Sequence, residues 1–379
     1  MIAVTLTVLC WCIGVYLLWR IPQCTGRRDG ADEAGCTVII PARNEAANLP
    51  RLLDSLKPQL AAPDEIIVVN DHSTDATAAV AAARKVKVIK SKPRPEGWTG
   101  KTWACWQGAQ AARNALLLFV DADTWFAPGA FGRMVATVQR TGGLVSVQPY
   151  HCMQKPYERL SALFNLMIVM GVNAFRFGRV NRAPAGSFGP CILCRRDDYF
   201  AVGGHARVRG WVLENLRLGR LFQDAGLGIR CYGGARTLFF RMYPNGLRDL
   251  IDGWSKGIAS GAAYTPPAIM ALILGWITGA FGAAILTAAV VWSGSRAERR
   301  SALTLYALYA AQLYWMLRRI GNFGVVACLL FPLHLVFFTL MYLRSFVAVF
   351  VRREVKWKGR AVSVPGRPKA APAPASRVR

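Results

Sequence analysis

Four short apolar segments alternate with helical patterns in the first third of the chain. These strand-like segments are residues 36–40, 65–69, 86–89 and 116–120, and they are rich in valine, isoleucine and leucine. Buried strands that alternate with helices predict a parallel sheet with right-handed crossovers, which is the α/β class. Residues 36–264 carry this pattern and are numerous enough for one α/β domain with additions.

Polar clusters follow three of the predicted strands, at residues 41–45, 71–75 and 121–123. Because the carboxyl ends of parallel strands meet at the edge of the sheet where ligands bind, we expect these clusters to form one site. Asp121 and Asp123 are separated by a single residue. Two such carboxylates, together with a diphosphate, suit Mg²⁺ or Mn²⁺.

Asp71 follows the second strand, where a carboxylate can accept a hydrogen bond from a base N–H group or a ribose hydroxyl. The alternative is a helix cap, although Thr74 or Asp75 could supply that cap instead. Asn44 and Glu45 carry the same ambiguity, because a glutamate near a helix start also interacts favourably with the helix dipole.

Two glycines precede Lys101 at a predicted helix start, in the sequence EGWTGKT (residues 96–102). Exposed N–H groups next to a cation favour phosphate binding. The segment is not a P-loop, because Pro95 stands where that motif requires a glycine.

Uncharged apolar segments lie towards both ends of the chain. We interpret residues 1–19 as a transmembrane anchor, with a cleaved signal peptide as the alternative. Residues 265–343 hold further transmembrane or interfacial segments. Within them, 265–295 and 320–343 are long enough to span a membrane, whereas 302–317 is shorter, rich in tyrosine and marginal or interfacial.

Charge and apolarity together indicate a membrane protein with basic cytoplasmic faces. The net charge is +26, 53% of the residues are hydrophobic and the mean hydropathy is +0.26. So apolar a chain can bury a core, which excludes a disordered polyelectrolyte. The basic residues concentrate beside the apolar segments and the sequence has no nucleic-acid-binding module, so we expect membrane lipids and no nucleic acid as partners.

The basic tail, residues 344–379, is expected in the cytoplasm and ends in a disordered segment. The number of spans stays open, because one anchor and three later spans would place this tail outside. An interfacial 302–317 segment would return the tail to the cytoplasm. The expectation is a multi-pass protein of the cell membrane with its catalytic domain in the cytoplasm.

Three motifs at the predicted strand ends resemble those of the family 2 glycosyltransferases. They are PARNE (41–45), NDHSTD (70–75) and VDAD (120–123). The second motif has His72 where the family usually has glycine. Later segments resemble the glycosyltransferases that act on C30 carotenoid acids. Among these segments are FNLM (164–167), GWSK (253–256) and EVKWKGR (354–360).

This resemblance implies a GT-A domain, an α/β fold, with flanking transmembrane helices. It also implies transfer of glucose from UDP-glucose to the carboxylate of a C30 carotenoid acid, which gives a glucosyl ester. The alternative acceptor is another lipid, such as a hopanoid, a diacylglycerol or a polyprenyl phosphate.

The resemblance further implies roles for individual residues around the donor. Asp71 would bind the uracil and ribose, Asp123 the metal, and Asp121 the ribose or the metal. Lys101 would lie near the diphosphate. The remaining residues of the first motif that would line the nucleotide site are Pro41, Asn44 and Glu45.

The catalytic base of the family usually belongs to a Glu-Asp pair, and the matching pair here is Glu214 and Asn215. Either Glu214 acts as the base by itself, or no strong base is needed because a carboxylic acid acceptor is already ionised near pH 7. His205 is a second catalytic candidate near the acceptor, with a structural histidine in a glycine turn as the alternative. The processive motif Gln-x-x-Arg-Trp lacks its arginine in the nearest segment, 312–315, which favours single transfer.

Overall fold

The computed structural model describes residues 2–28, 35–182, 184–211, 213–255, 261–262, 264–348, 354–357 and 360–363. The strands are β1 (Cys36–Ala42), β2 (Glu65–Asn70), β3 (Lys87–Lys90), β4 (Leu116–Val120), β5 (Thr124–Phe126), β6 (Leu144–Gln148), β7 (Tyr150–His151), β8 (Cys191–Arg195), β9 (Ile229–Gly233), β10 (Leu238–Phe240), β11 (Glu354–Trp357) and β12 (Arg360–Ser363).

The helices enclose these strands and extend beyond them. They are α1 (Ile2–Leu17), α2 (Leu49–Leu56), α3 (Thr77–Ala83), α4 (Gly100–Ala111), α5 (Ala130–Thr141), α6 (Ala162–Gly171), α7 (Arg196–Ala201), α8 (Glu214–Asp224), α9 (Leu247–Ser255), α10 (Pro267–Ser293), α11 (Arg296–Leu317), α12 (Gly324–Leu329) and α13 (Phe331–Phe346). Short 3₁₀ helices occupy Lys57–Gln59, Pro156–Ser161 and Gly204–Val208.

The main sheet has seven strands in the order β3-β2-β1-β4-β8-β6-β9. The first four are parallel, so the predicted α/β arrangement of the amino-terminal half is confirmed. β8 runs antiparallel to both of its neighbours, β4 and β6. The sheet is therefore mixed, which the pattern of the first four strands did not predict.

Both faces of the main sheet are buried. In β1, Ile39 belongs to one hydrophobic cluster, whereas its neighbours Val38 and Ile40 belong to the cluster on the other face. Successive side chains of a strand point to opposite faces, so continuous apolar strands are expected where helices cover both sides.

A second, three-stranded sheet lies beside the end of β4, in the order β5-β10-β7. β5 follows the Asp121–Asp123 turn directly and pairs antiparallel with β10, with Thr124 opposite Phe240. This long-range pairing places the chain that leaves β10 next to Asp123.

Helices α1, α10 and α11 pack together at one side of the α/β domain. The Nε1 of Trp276 donates to Oε1 of Gln312 at 2.7 Å, and Nε2 of Gln312 donates to the carbonyl of Trp11 at 2.8 Å. α10 begins beside α6, where Thr265 adjoins Gly171. α11 ends near β7, where the carbonyl of Ile320 accepts from the N–H of His151 at 2.8 Å. The two helices therefore form a hairpin that leaves the domain and returns to it.

Among the described residues, one helix has the length and apolarity needed to cross a membrane, Pro267–Trp292. The expected span at residues 1–19 is a helix of 16 residues, about 24 Å long, which is short for a hydrocarbon layer of about 30 Å. The expected transmembrane helices on both sides of the domain are therefore not confirmed.

Residues 320–343 do not form the single span that their hydropathy predicts. The segment begins with a loop bound to the α/β domain, continues as α12 and starts again as α13. Pro332 lies in the first turn of α13, where its missing N–H group costs no hydrogen bond, so it favours a helix start and not a continuous helix. Hydropathy alone does not detect this break.

The apolar residues 160–175 contain α6, which is buried almost throughout and is therefore a core helix. Of the basic tail at 344–379, residues 349–353, 358–359 and 364–379 lie outside the described residues, as does its expected disordered end.

Candidate active site

The three polar clusters lie side by side, as predicted. They follow β2, β1 and β4, which are neighbours in the sheet. β1 pairs with β4 only as far as Ile39 but with β2 as far as Ala42. The sheet therefore opens between β1 and β4 at its carboxyl edge, which is where α/β sheets bind ligands.

The first two clusters are bound to each other through Asn44. The side-chain Oδ1 of Asn44 accepts from the N–H of Thr74 at 2.8 Å, and the backbone N–H of Asn44 donates to Oγ of Ser73 at 3.0 Å. The carboxylate of Asp75 accepts from the N–H groups of Ala46 and Thr77. Asp75 therefore supplies the helix cap, which leaves Asp71 available to the cleft.

Asp71 is 8% exposed and faces two basic side chains. Its Oδ2 lies 3.7 Å from Nη1 of Arg43, and its Oδ1 lies 3.3 Å from Nδ1 of His72. A Cβ at Gly100 would overlap the Asp71 carboxylate, so the close approach of α4 requires glycine at this position. Arg43 was not predicted as a site residue, although its position within the PARNE motif is the signal for it.

Lys101 lies in the first turn of α4, as predicted, and contacts two carboxylates. Its Nζ is 2.7 Å from Oδ1 of Asp121 and 3.4 Å from Oε1 of Glu214. Burial disfavours the ammonium form, but the Asp121 and Glu214 carboxylates outweigh it and keep the pKa of Lys101 above its ordinary value. The lysine is therefore a fixed positive charge between Asp121, at the carboxyl edge of the sheet, and α8.

The carboxylates near Asp123 repel one another. Burial, followed by the Asp121 and Glu45 carboxylates, raises the pKa of Asp123 to about 7. A divalent cation would neutralise this excess of negative charge, so Asp121 and Asp123 are chemically suited to hold Mg²⁺ or Mn²⁺. Among the described residues, no group of three or more His, Cys, Asp or Glu side chains could hold a metal. The other ligands would have to come from a substrate or water.

Glu214 begins α8 and is 7% exposed. Burial raises its pKa, and the Lys101 ammonium opposes this effect. Its neighbour Asn215 is bound to the backbone, because its Nδ2 donates to the carbonyl of Ser187 at 2.5 Å and its own carbonyl accepts from Oγ of Ser187 at 2.7 Å. Asn215 therefore anchors α8, and Glu214 alone of the pair contacts Lys101.

The segment that precedes α8 is attached to the start of α4. The carbonyl of Arg209 accepts from the N–H of Thr99 at 2.9 Å and from Oγ1 of Thr102 at 2.8 Å. This contact aligns the two segments that carry Glu214 and Lys101. It was not predicted, because it joins residues more than one hundred positions apart.

His205 lies in the core and not in the cleft. It is 2% exposed, its Nδ1 is 2.9 Å from the hydroxyl of Tyr199, and its ring packs 4.9 Å from that of Phe119. Burial, followed by the Lys101 charge, lowers the pKa of His205 to about 3, so the ring is neutral. These contacts are those of the structural alternative, and a catalytic role for His205 stays a prediction without a supporting contact.

Comparisons with known proteins agree with this architecture. The profile of Glycosyl transferase family 2 matches residues 37–200. The chain is 35% identical over 367 residues to the 4,4'-diaponeurosporenoate glycosyltransferases of Staphylococcus aureus strains MRSA252 and USA300, with 96% of this chain and 96% of each relative covered.

Among solved structures, a mannosyltransferase of Pyrobaculum calidifontis in complex with GDP-Man and Mn²⁺ has a similar fold. Its TM-score is 0.53 at 20% identity, with 88% of this chain and 98% of that chain covered. The near full-length relationship to the staphylococcal enzymes and the arrangement of the three motifs lead to one conclusion: the chain belongs to glycosyltransferase family 2 and has the GT-A fold.

Proposed function

We propose that this enzyme transfers glucose from UDP-glucose to the carboxylate of a C30 carotenoid acid at a membrane surface. The observation that carries this function is the contact of Lys101 with Asp121 on the donor edge and with Glu214 on α8. The Lys101 ammonium thus lies between the proposed site for an anionic nucleotide sugar and the buried start of α8. The 35% identity to diaponeurosporenoate glycosyltransferases supports the acceptor class.

In this function Asp71 binds the uracil and ribose, and Pro41, Asn44 and Glu45 line the nucleotide site. Asp121 and Asp123 hold Mg²⁺ or Mn²⁺, which when bound would offset the charge of the diphosphate. Lys101 stabilises the leaving UDP from the side of α4. UDP-sugars are anionic, so the net charge of +26 also favours their approach.

The reaction forms a bond from an acceptor carboxylate oxygen to the anomeric carbon of glucose as the bond from that carbon to the diphosphate breaks. The configuration at this carbon inverts, and UDP leaves with the bonding electrons. No proton needs to be removed, because a carboxylic acid is ionised at neutral pH. Glu214 then orients Lys101 and need not serve as a base.

The proposed acceptor is apolar except at its carboxylate, and the protein has an apolar surface that suits it. Helices α12 and α13 expose large hydrophobic side chains along one side. These side chains are Val325, Val326, Leu329, Leu330, Leu333, Val336, Leu340 and Leu343. Exposed apolar area of this extent is typical of membrane contact.

The membrane attachment that we propose is multi-pass, with the catalytic domain in the cytoplasm. Because α10 leaves the domain and α11 returns to it, either both helices cross the membrane or neither does. Uncharged residues 301–317 extend over about 26 Å, and Trp292, which is 91% exposed, lies near the hairpin tip as an interfacial aromatic would. In intact cells an impermeant thiol reagent should label Ser295→Cys above the background of the ten native cysteines, and labelling only after permeabilisation would reject the crossing.

The reaction itself is tested by its product. Membranes that contain the full chain are incubated with UDP-glucose and either a C30 carotenoid acid or a matched carotenoid alcohol. The expected product has the mass of one added hexose, forms from the acid and is cleaved by mild alkali, as an ester is. An alkali-stable product, or transfer to the alcohol alone, would contradict a carboxylate acceptor and favour another lipid.

A further inference from the structure

Tyr243 lies beside the metal-binding turn although it is more than one hundred residues away in the chain. β10 and β5 are antiparallel with Phe240 opposite Thr124, so the residues after Phe240 run past Asp123. Asp71, at the end of β2, lies two strands away in the main sheet. Tyr243 therefore lies nearer to the Asp123 side of the cleft than to the Asp71 side.

The backbone of Tyr243 is held firmly in an unusual conformation. Its φ is +56°, a left-handed value that is costly for a bulky residue. Its carbonyl accepts from the hydroxyl of Tyr157 at 2.9 Å. Two residues earlier, Arg241 forms a pair with the fully buried Glu158, with Nη2 to Oε1 at 2.5 Å and Nε to Oε1 at 3.1 Å. Strain that the surroundings hold in place is typical of functional positions.

The ring of Tyr243 packs on α9, and its hydroxyl has no hydrogen-bond partner among the described residues. A Cβ at Gly253 would overlap the ring, and Trp254 meets it edge-to-face at 5.6 Å between centroids. The Tyr243 hydroxyl lies near enough to the Asp249 and Asp123 carboxylates for both to affect it. A tyrosine hydroxyl is protonated at neutral pH without any such effect, so it can donate a hydrogen bond to an anion.

A chain of buried aromatic contacts connects Tyr243 with α13. Trp254 stacks on Phe164 at 4.6 Å, and Phe164 meets Phe338 of α13 at 5.0 Å. α9 is also tied to α13 by the pair of Asp252 and Arg344 at 3.2 Å. These contacts fix α9, and the Tyr243 ring that packs on it, against the inner face of α13, whose outer face carries the exposed apolar side chains.

We propose that the Tyr243 hydroxyl binds the carboxylate of the acceptor and aims it at the donor sugar, a role that rests on the proposed function. The hydroxyl donates to one carboxylate oxygen, which leaves the other free to attack the anomeric carbon. An alcohol acceptor offers no charge to this hydroxyl, and hydrogen bonds to charged groups are stronger than neutral ones. Tyr243 therefore contributes to the preference for an acid.

Tyr243→Phe tests this role, because it removes the hydroxyl and keeps the ring against Gly253 and Trp254. We expect kcat/KM for the carotenoid acid to fall about 10-fold to 100-fold, the range for a hydrogen bond to a charged group. The KM for UDP-glucose and the thermal unfolding midpoint should stay unchanged. Tyr150→Phe, on the neighbouring strand β7 of the same small sheet, is the matched control and should leave all three values unchanged.

The outcomes distinguish a failure of the proposed function from a failure of the role of Tyr243. If the wild-type chain forms no product from the acid, the proposed function fails and the role of Tyr243 fails with it. If the wild-type chain forms the ester and Tyr243→Phe retains its acceptor kcat/KM, the role of Tyr243 alone is overturned. A variant that loses UDP-glucose binding as well would show general damage to the site, which also overturns a role specific to the acceptor.

Discussion

The Nζ of Lys101 lies 2.7 Å from Oδ1 of Asp121, so the first turn of α4 neutralises a carboxylate of the strand-end motif. The same ammonium reaches Glu214 at 3.4 Å. Three charged groups from distant parts of the chain therefore form one unit at the centre of the cleft. Its members are partly or fully shielded from water, so their interactions are stronger than those of surface pairs.

Replacing Lys101 should impair catalysis. Lys101→Met keeps most of the side-chain volume and removes the charge, so we expect kcat to fall about 100-fold, as for loss of one group that stabilises a leaving anion. Lys101→Arg should retain more activity because it keeps the charge. Steady-state kinetics with UDP-glucose measures both variants, and equal activity of Lys101→Met and wild type would contradict a role at the diphosphate.

Glu214→Gln distinguishes a general base from a residue that orients Lys101. Because a carboxylate acceptor carries no proton, we expect the kcat for the acid acceptor to fall less than about 10-fold, since proton transfer typically contributes more than that. The amide can still accept a hydrogen bond from Lys101. A loss of several orders of magnitude would identify Glu214 as the base.

Gly100→Ala tests the close approach of α4 to Asp71. The new Cβ would overlap the Asp71 carboxylate, so we expect UDP affinity to fall about 10-fold or more while the fold is kept. Gly132→Ala in α5 is the control, because its Cβ would meet only an ordinary contact at 3.7 Å. Calorimetric titration with UDP measures both, and equal weakening of the two variants would argue against a specific clash.

The buried pair of Glu158 and Arg241 should dominate the stability of the region around Tyr243. Glu158→Gln leaves the guanidinium without its counter-charge, which costs about 3 kcal/mol for a buried pair and lowers the thermal midpoint by several degrees. The exposed pair of Asp54 and Arg84 provides the control, since Asp54→Asn should cost less than about 1 kcal/mol. Similar shifts for the two variants would contradict the burial argument.

The same pair gives stability a defined pH dependence. Burial opposes ionisation of Glu158, but its hydrogen bonds from Arg241 outweigh this and lower its pKa. The contribution of ionised Glu158 to the free energy of unfolding is therefore complete above the unfolded-state pKa of about 4.3. It is lost as the pH falls through the lower folded-state pKa. Glu158→Gln should flatten this part of the stability profile, and an unchanged profile would exclude Glu158 as its source.

Local sequence signals predicted well which polar clusters meet at the carboxyl edge of the sheet. The strand at 116–120 has the predicted bounds, and the Asp121, Asp71 and Asn44 clusters meet because parallel strands present their ends at one edge. The position of Tyr243 was less predictable. It comes near Asp123 only through the pairing of β10 with β5, and such long-range pairing leaves no short-range pattern.

The apolar segments after residue 264 show where hydropathy fails as a predictor of membrane spans. Residues 320–343 have the composition of a span, but Gly321 lies against His151 of the α/β domain and Pro332 starts a separate helix. His205 shows the same limit for single residues, since a histidine in a glycine turn has the same sequence whether it faces a cleft or the core. Only its packing against Phe119 and Tyr199 decides between these positions.

The most direct test of the donor site is UDP binding to the full chain in detergent, with and without Mn²⁺. We expect binding that requires Mn²⁺ and that weakens at least about 10-fold in Asp123→Asn, because this carboxylate would hold the ion. Asp224→Asn, at the exposed end of α8, should bind as wild type does. Equal affinity of Asp123→Asn and wild type, or binding indifferent to the ion, would contradict a metal-assisted nucleotide-sugar site at this edge.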